Sequence, residues 1–262
     1  MDEWVLITGA SRGIGYAFAK RFARAGHKLV LLARDEALLK DIAAELKSQY
    51  RIETRVLAKD LSAPNASREV FEELQRAQVN IGILVNNAGF GFQGPFAKVD
   101  SKRHLELLQV NMSALVQLTH LFLPAMLARR SGRIMNIAST ASFLPGPSMA
   151  IYYASKAFVK SLSLALSAEL EGSGVTVTVV HPGLTRSEFH KRSGSVRPRR
   201  GIMMMEADVV ADMGYRATMS GRREVVTGWI NKLVVLIAWL VPVRVMMGLV
   251  MRANSAQPRS EN

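Results

Sequence analysis

Short, mostly apolar runs recur along the chain at 4–7, 28–33, 53–58, 82–85, 133–138, 175–181 and 224–227. Their lengths suit strands, and near-continuous apolarity is what a strand covered on both faces requires. The stretches between them carry helical spacing instead: 16–25 with Gly26 as its cap, 35–50, 67–78, 101–129, the segment that begins near Tyr152, and 203–219. Strand and helix in this alternation imply parallel strands joined by right-handed crossovers. The expectation is one doubly wound α/β sheet with helices on both faces.

The pattern changes after Gly228. Residues 233–243 are uninterruptedly apolar, Pro242 included, and Arg244 then breaks the run. A run of eleven residues falls short of the ~20 that a spanning helix needs. Leu233, Val234, Val235, Leu236, Ile237, Ala238 and Trp239 are consecutive, so a helix here is apolar around most of its circumference. Such a helix needs cover on more than one side, from protein or from lipid. The chain therefore divides into a main domain over 1–228 and an apolar extension with a polar tail over 229–262. Flanked by Lys232, Arg244 and Arg252, the extension suits insertion at a membrane surface, a subunit interface or a cover over an apolar pocket.

At 262 residues and 49% hydrophobic, the chain is long enough for one large domain with a full core. It has no cysteine, which excludes disulfides, thiolate metal sites and cysteine nucleophiles and fits a reducing compartment. Met1, Asp2 and Glu3 lead straight into an apolar run, without a basic leader, so a cytoplasmic location is expected, with membrane association through the tail. The net charge of +13 draws anionic partners, among them headgroups, phosphorylated cofactors and acidic carriers. Aromatics are only 7% and nothing resembles a groove-reading helix, which argues against specific nucleic-acid binding.

The strand ends carry the candidate chemistry. Between the first strand and the first helix, Gly9, Gly13 and Gly15 form a GxxxGxG turn. Glycines let the backbone approach a pyrophosphate, and the helix N-terminus stabilises its charge. The second strand ends at Ala33 followed by Arg34, with Arg12 in the glycine turn. Two guanidiniums, and no acid at position 33, suit a 2′-phosphate and hence NADP(H) over NAD. Asp35 is either the acid that a ribose 2′-hydroxyl would need or the N-cap of the next helix, where aspartate belongs on capping grounds. Asp60 closes the third strand, either facing an adenine or as a turn residue. Asn86-Asn87-Ala88-Gly89 follows the fourth strand, and Asn111 sits inside a helix, where asparagine needs a reason. Ser139 ends the fifth strand. Tyr152 and Lys156, four apart, share one helix face as a phenol beside an ammonium, a pair suited to proton transfer in which the charge should lower the tyrosine pKa.

TGASRGIG at 8–15, Asp60, NNAG at 86–89, Asn111, Ser139, YYASK at 152–156 and PGLT at 182–185 together resemble the short-chain dehydrogenase/reductase family, in order and interval, over about residues 3–190. The resemblance implies a single Rossmann-type domain with a seven-stranded parallel sheet. It implies Tyr152 as general acid in ketone reduction and base in alcohol oxidation. Lys156 would hold the nicotinamide ribose and depress the Tyr152 pKa. Ser139 would bond the substrate oxygen, and Asn111 would hold a water linking Lys156 to bulk. Cofactor contacts are expected at Gly9, Ser11, Arg12, Gly13, Ile14, Gly15, Arg34, Asp60, Leu61, Asn87, Ala88, Gly89, Tyr152, Lys156, Pro182, Gly183 and Thr185, with no metal. Residues 90–95, 143–147 and those after Gly183 would line the substrate pocket, with Tyr153 a core or pocket residue.

A substrate lid is expected over about 184–205. Its basic residues Arg186, Lys191, Arg192, Arg197, Arg199 and Arg200 face one acid, Glu188, and either meet an anionic handle such as coenzyme A or form a solvated loop. More loosely, the tail resembles the branch with long-chain 3-oxoacyl reductases and hydroxysteroid dehydrogenases. That branch implies a hydrophobic ketone or acyl-thioester substrate and a homo-oligomer, dimer or tetramer. The alternative is a non-catalytic NADP-binding or membrane-attached scaffold, against which the complete proton-relay set argues.

Overall fold

The structure, a computed structural model, describes residues 3–186 and 204–255. Seven parallel strands form one sheet: β1 (Trp4–Thr8), β2 (Lys28–Ala33), β3 (Thr54–Ala58), β4 (Ile81–Asn86), β5 (Gly132–Ile137), β6 (Val175–His181) and the edge strand β9 (Glu224–Val226). Their order is β3-β2-β1-β4-β5-β6-β9. The chain moves outward from β1 to β3, then crosses back to place β4 on the other side of β1. This reversal opens a crevice beyond the carboxyl ends of β1 and β4, where open α/β sheets bind ligands.

The strands alternate between two cores. Val5 and Ile7 of β1 pack on the face that holds Phe18 and Phe22 of α1 (Gly13–Arg24) and Leu39 and Leu46 of α2 (Glu36–Tyr50). Trp4 and Leu6 pack on the other face, with Val70 of α3 (Ala66–Arg76) and with Leu118 and Phe122 of a later helix. Each strand is thus apolar on both faces because each face is roofed by helices.

Several elements differ from the expectation. The helix expected over 101–129 is α4 (Ser101–Leu108) and α5 (Ala114–Ala128), joined through a π turn at Gln109–Ser113. α6 runs Ala150–Glu169. The helix expected from 203 is α7 (Ala207–Met219); its approach forms a small two-stranded sheet, β7 (Thr185–Arg186) against β8 (Met205–Glu206). Apart from these rims, the expected lid lies outside the described residues, as do Glu188, Lys191, Arg192, Arg197, Arg199 and Arg200. The tail is two helices, α8 (Trp229–Leu240) and α9 (Val243–Ser255), broken at Val241 and Pro242.

Candidate active site

The turn after β1 has the shape of a candidate anion cradle. Gly9 and Gly13 take φ of +66° and +55°, which side chains other than glycine adopt poorly. A Cβ at Gly15 would collide with the Gly9 carbonyl oxygen, so the close seat of α1 on the turn depends on that glycine. No side chain caps α1 and no acid lies in its first turn, which leaves its leading amides to an anionic group. The NNAG segment braces this cradle from β4. Thr8 Oγ1 accepts from the Asn87 and Ala88 amides at 2.9 and 2.8 Å, and Asn87 Nδ2 donates to the Thr8 and Gly9 carbonyls at 2.9 and 3.3 Å. Asn86 turns into the core, donating to Thr119 and Asn136.

At the ends of β2 and β3 the two candidate arginines each face a carboxylate. Arg12 lies 3.6 Å from Asp35, and Arg34 lies 3.8 Å from Asp60. Asp35 also caps α2, accepting from the Leu38 amide at 3.1 Å as expected. Asp60 accepts from the Ser62 amide at 2.9 Å, so it serves the turn while it pairs with Arg34. Leu61 is buried beside it. All four charged groups are substantially exposed, so the pairs are weak and the guanidiniums can exchange partners.

The candidate proton-transfer residues converge beyond β4, β5 and β6. Ser139 continues β5 in extended conformation and turns into a 3₁₀ segment, its Oγ accepting from the Ala141 amide at 3.1 Å. Its hydroxyl also donates to the Pro182 carbonyl at 3.4 Å, and it lies close enough to the phenol of Tyr152, which comes up from α6, to act on its pKa. Lys156, one turn further along and buried, donates to the Ile137 carbonyl at 2.8 Å, with Nζ 5.9 Å from the Tyr152 ring centre. Asn111, at the π turn, is buried too. Its amide grips Phe90 through both backbone groups at 3.0 Å and donates to Ser155 at 3.1 Å. A π turn gains this inward reach by displacing one residue from the regular helical ladder.

The expected lowering of the tyrosine pKa is not what the geometry produces. Tyr152 is part-buried as a whole, but its hydroxyl end lies deep, and desolvation pushes its pKa to about 12 against the lowering by Ser139. Lys156 is itself pushed down to about 8 by burial, and it directs its hydrogen bond to β5 rather than to the phenol.

Gly183 and Thr185 follow β6 at the same rim. Pro182 accepts from the Thr140 amide at 2.9 Å, tying this loop to the Ser139 turn. Thr185 is buried and donates to the Gly183 carbonyl at 3.0 Å. A Cβ on Gly183 would collide with Asn231 of α8, so the tail closes over this loop. Phe143, expected in the pocket, packs instead on His181 at 4.8 Å and under Lys160 at 3.6 Å. A cleft beside Tyr152 is lined by Phe92, Phe96, His104, Ser148 and Ile151.

Two features escaped the sequence reading. The His181 ring, fully buried at the end of β6, sets Nδ1 2.9 Å from Ser142 Oγ and 3.2 Å from the Ser139 carbonyl, with Nε2 2.9 Å from Glu224 of β9. The close approach of the His181 ring is the main reason the Glu224 carboxyl is held below its ordinary range. A histidine closing a seven-residue buried strand was the available signal. His104 is the other: buried between Phe92 and Phe96, with neither ring nitrogen hydrogen-bonded.

The short chain dehydrogenase family pattern matches residues 3–197. The very-long-chain 3-oxoacyl-CoA reductase-A of Danio rerio is 31% identical over 265 residues, covering 98% of this chain and 80% of that protein. Sulfoacetaldehyde reductase 2 of Chromohalobacter salexigens is 40% identical over 191 residues, 72% of this chain and 75% of its own length. Among solved structures, a short-chain dehydrogenase from Sphingobium yanoikuyae in complex with NADPH superimposes with a TM-score of 0.80 at 35% identity, over 99% of this chain and 98% of that one.

Proposed function

This chain belongs to the short-chain dehydrogenase family, and from that premise we propose that it is an NADP(H)-dependent oxidoreductase that reduces a ketone on a hydrophobic substrate, or oxidises the matching secondary alcohol. The observation that carries the reading is the meeting of Ser139, Tyr152, Lys156 and Asn111 at the sheet's switch point, beside the glycine cradle. The cradle fits a dinucleotide: Gly9, Ser11, Gly13, Ile14 and Gly15 would hold its pyrophosphate, Arg12 and Arg34 its 2′-phosphate, and Asp60, Leu61 and the Asn87–Gly89 backbone its adenosine side. Pro182, Gly183 and Thr185 would border the nicotinamide. When bound, the nicotinamide supplies the hydride.

The chain's own groups handle the proton. Burial keeps Tyr152 protonated well above neutral pH, which suits a general acid that delivers its proton to the substrate oxygen. The Ser139 hydroxyl, beside the phenol, would bond that oxygen as charge develops on it. Lys156 would hold the ribose hydroxyls. Asn111 Nδ2 spends both hydrogens on Phe90 and Ser155, so a water that resupplies the proton would be held by an acceptor, Oδ1 or the main-chain carbonyl. An apolar cleft edge and the likeness to 3-oxoacyl-CoA reductases support a 3-oxoacyl thioester or sterol-like ketone. A homo-oligomer in the cytoplasm, with contact to a membrane surface through the tail, completes the reading.

The test is NADPH consumption against a panel of short and long ketones, 3-oxoacyl thioesters and sulfoacetaldehyde. Tyr152→Phe should lower turnover by about 10²–10⁴-fold and leave NADPH binding nearly unchanged, because only the proton donor is lost. Full turnover in Tyr152→Phe alongside an inactive Tyr153→Phe would move the active tyrosine by one. Wild-type protein that binds NADPH and turns over nothing in the panel would favour the scaffold.

A further inference from the structure

Among the described residues, α8 leaves an apolar stripe uncovered. In α8, Trp229 (71% exposed), Leu233 (48%), Leu236 (56%), Ile237 (43%) and Leu240 (74%) stand at i, i+4, i+7, i+8 and i+11, which is a single helix face. The opposite face, with Asn231, Val235 and Ala238, is part-buried against the protein. Asn231 Nδ2 donates to the Thr227 carbonyl at 2.6 Å and lies 3.5 Å from Met205 Sδ. The helix rests on the domain along one edge, and Val234 (44% exposed) and Trp239 extend its exposed apolar surface on either side of the stripe, so it is apolar around most of its circumference as expected. α9 repeats the arrangement: Met246 and Val250 are buried, while Val245 and Leu249 are exposed.

Charge selects the occupant. The ionisable side chains of residues 229–255 are Lys232, Arg244 and Arg252, with no aspartate or glutamate. Lys232 and Trp239, seven apart, border one edge of the stripe, and Trp239 is 76% exposed. We propose that α8 and α9 seat the protein in the plane of an anionic lipid surface, with the stripe among the acyl chains and the basic residues at the headgroups. A second copy docked through the same face would bring two segments together that each hold cations and no acid, so neither supplies a carboxylate to answer the other's charge. Spanning is excluded by size: a helix of 12 residues is ~18 Å long, against a hydrocarbon core of ~30 Å. Because Asn231 presses on Gly183, the docked helix is continuous with the loop at the rim of the site, and a lipid-soluble ketone leaving the bilayer would emerge beside it.

The test uses the full chain and needs no turnover, so its failure is separate from any failure of the reductase reading. Protein is sedimented with vesicles of phosphatidylcholine alone and of phosphatidylcholine mixed with phosphatidylglycerol, while tryptophan emission is followed. Trp229 and Trp239 are exposed and Trp4 is buried, so a blue shift reports the tail. The expected result is binding to the mixed vesicles, release by salt, and weakening by about tenfold or more in Leu236→Asp. Lys232→Glu with Arg244→Glu should remove the preference for anionic lipid while NADPH binding stays intact, which excludes misfolding as the cause. Equal binding to both vesicle types, or binding to neither, overturns the proposal. So does a self-associated protein that ignores vesicles and is dissociated by Leu236→Asp, which would assign the stripe to a second copy.

Discussion

Lys156 is where stability and chemistry pull apart. Its pKa falls from an ordinary 10.5 to about 8 because the folded protein buries its ammonium, so below pH 8 the fold carries a charged group it would rather hold neutral. The sign comes from proton counting: between about 8 and 10.5 the unfolded chain binds the proton and the native one releases it, and stability rises with pH across that window. Lys156→Met should therefore stabilise the protein at pH 7, by an amount on the order of 3 kcal/mol as an upper bound. The gain should fade toward pH 10, and turnover should be lost. Denaturant unfolding of both proteins at the two pH values checks this; a variant less stable than wild type at pH 7 contradicts it. Arg34 is the residue proposed to set the cofactor preference. Its pairing with Asp60 is exposed and exchangeable, so Arg34→Asp should swing preference from NADPH toward NADH, read as the ratio of the two kcat/KM values. Equal use of both cofactors by wild type would remove the argument. The type and order of these residues were legible in the chain, but their partners were not. Arg34 meets Asp60 because β2 and β3 are neighbours, and the Tyr152 pKa depends on a depth of burial that no spacing encodes.

At the scale of elements, β6 and β9 act through their ends. The last pair of their register is His181 with Val226, and Glu224 reaches back to the ring from the start of β9. Together they hold the turn that carries Ser139, since His181 Nδ1 faces both the Ser142 hydroxyl and the Ser139 carbonyl. His181→Asn should lower kcat by about tenfold to 10²-fold, as small misplacements of a catalytic group do, while KM for NADPH stays near wild type. Glu224→Gln keeps a polar group of the same size beside the ring and should lower kcat less than His181→Asn does. A change confined to thermal stability, with kcat intact, would reduce the pair to a structural tie. This pairing joins residues from strands separated in sequence by a whole helix, which is why the chain alone did not reveal it. The strands themselves were legible to within a residue or two, because a doubly covered strand must be apolar and must stop at a polar end. The π turn was not: its ladder bond from the Ala114 amide to the Gln109 carbonyl answers to the grip of Asn111 on Phe90, a tertiary contact. The broken tail was half legible, since Pro242 was visible but the seating of Asn231, Val235 and Ala238 on the domain was not.

For the molecule as a whole, the alternation of elements fixes a parallel sheet, yet the choice of β1 and β4 as the switch-point pair is a matter of topology. That choice lets residues from several strand ends meet in one crevice. The tail is then added from outside: every strand of the main sheet lies before Gly228, while α8 packs back on the Gly183 loop and on the 3₁₀ segment at Thr140–Phe143. Deleting everything after Gly228 should thus leave the sheet folded and NADPH binding largely intact, because the glycine cradle and its Thr8 and Asn87 braces are untouched. It should also abolish vesicle binding and uncover the Gly183 rim. Turnover of long ketones should then fall further than turnover of short ones, since only the long ones need apolar cover beyond the reacting carbonyl. The measurement is kcat/KM across a chain-length series for the full and truncated proteins, with sedimentation to follow mass and vesicle binding. A truncated protein with the same chain-length profile and the same behaviour on vesicles would show that α8 and α9 serve neither substrate nor surface.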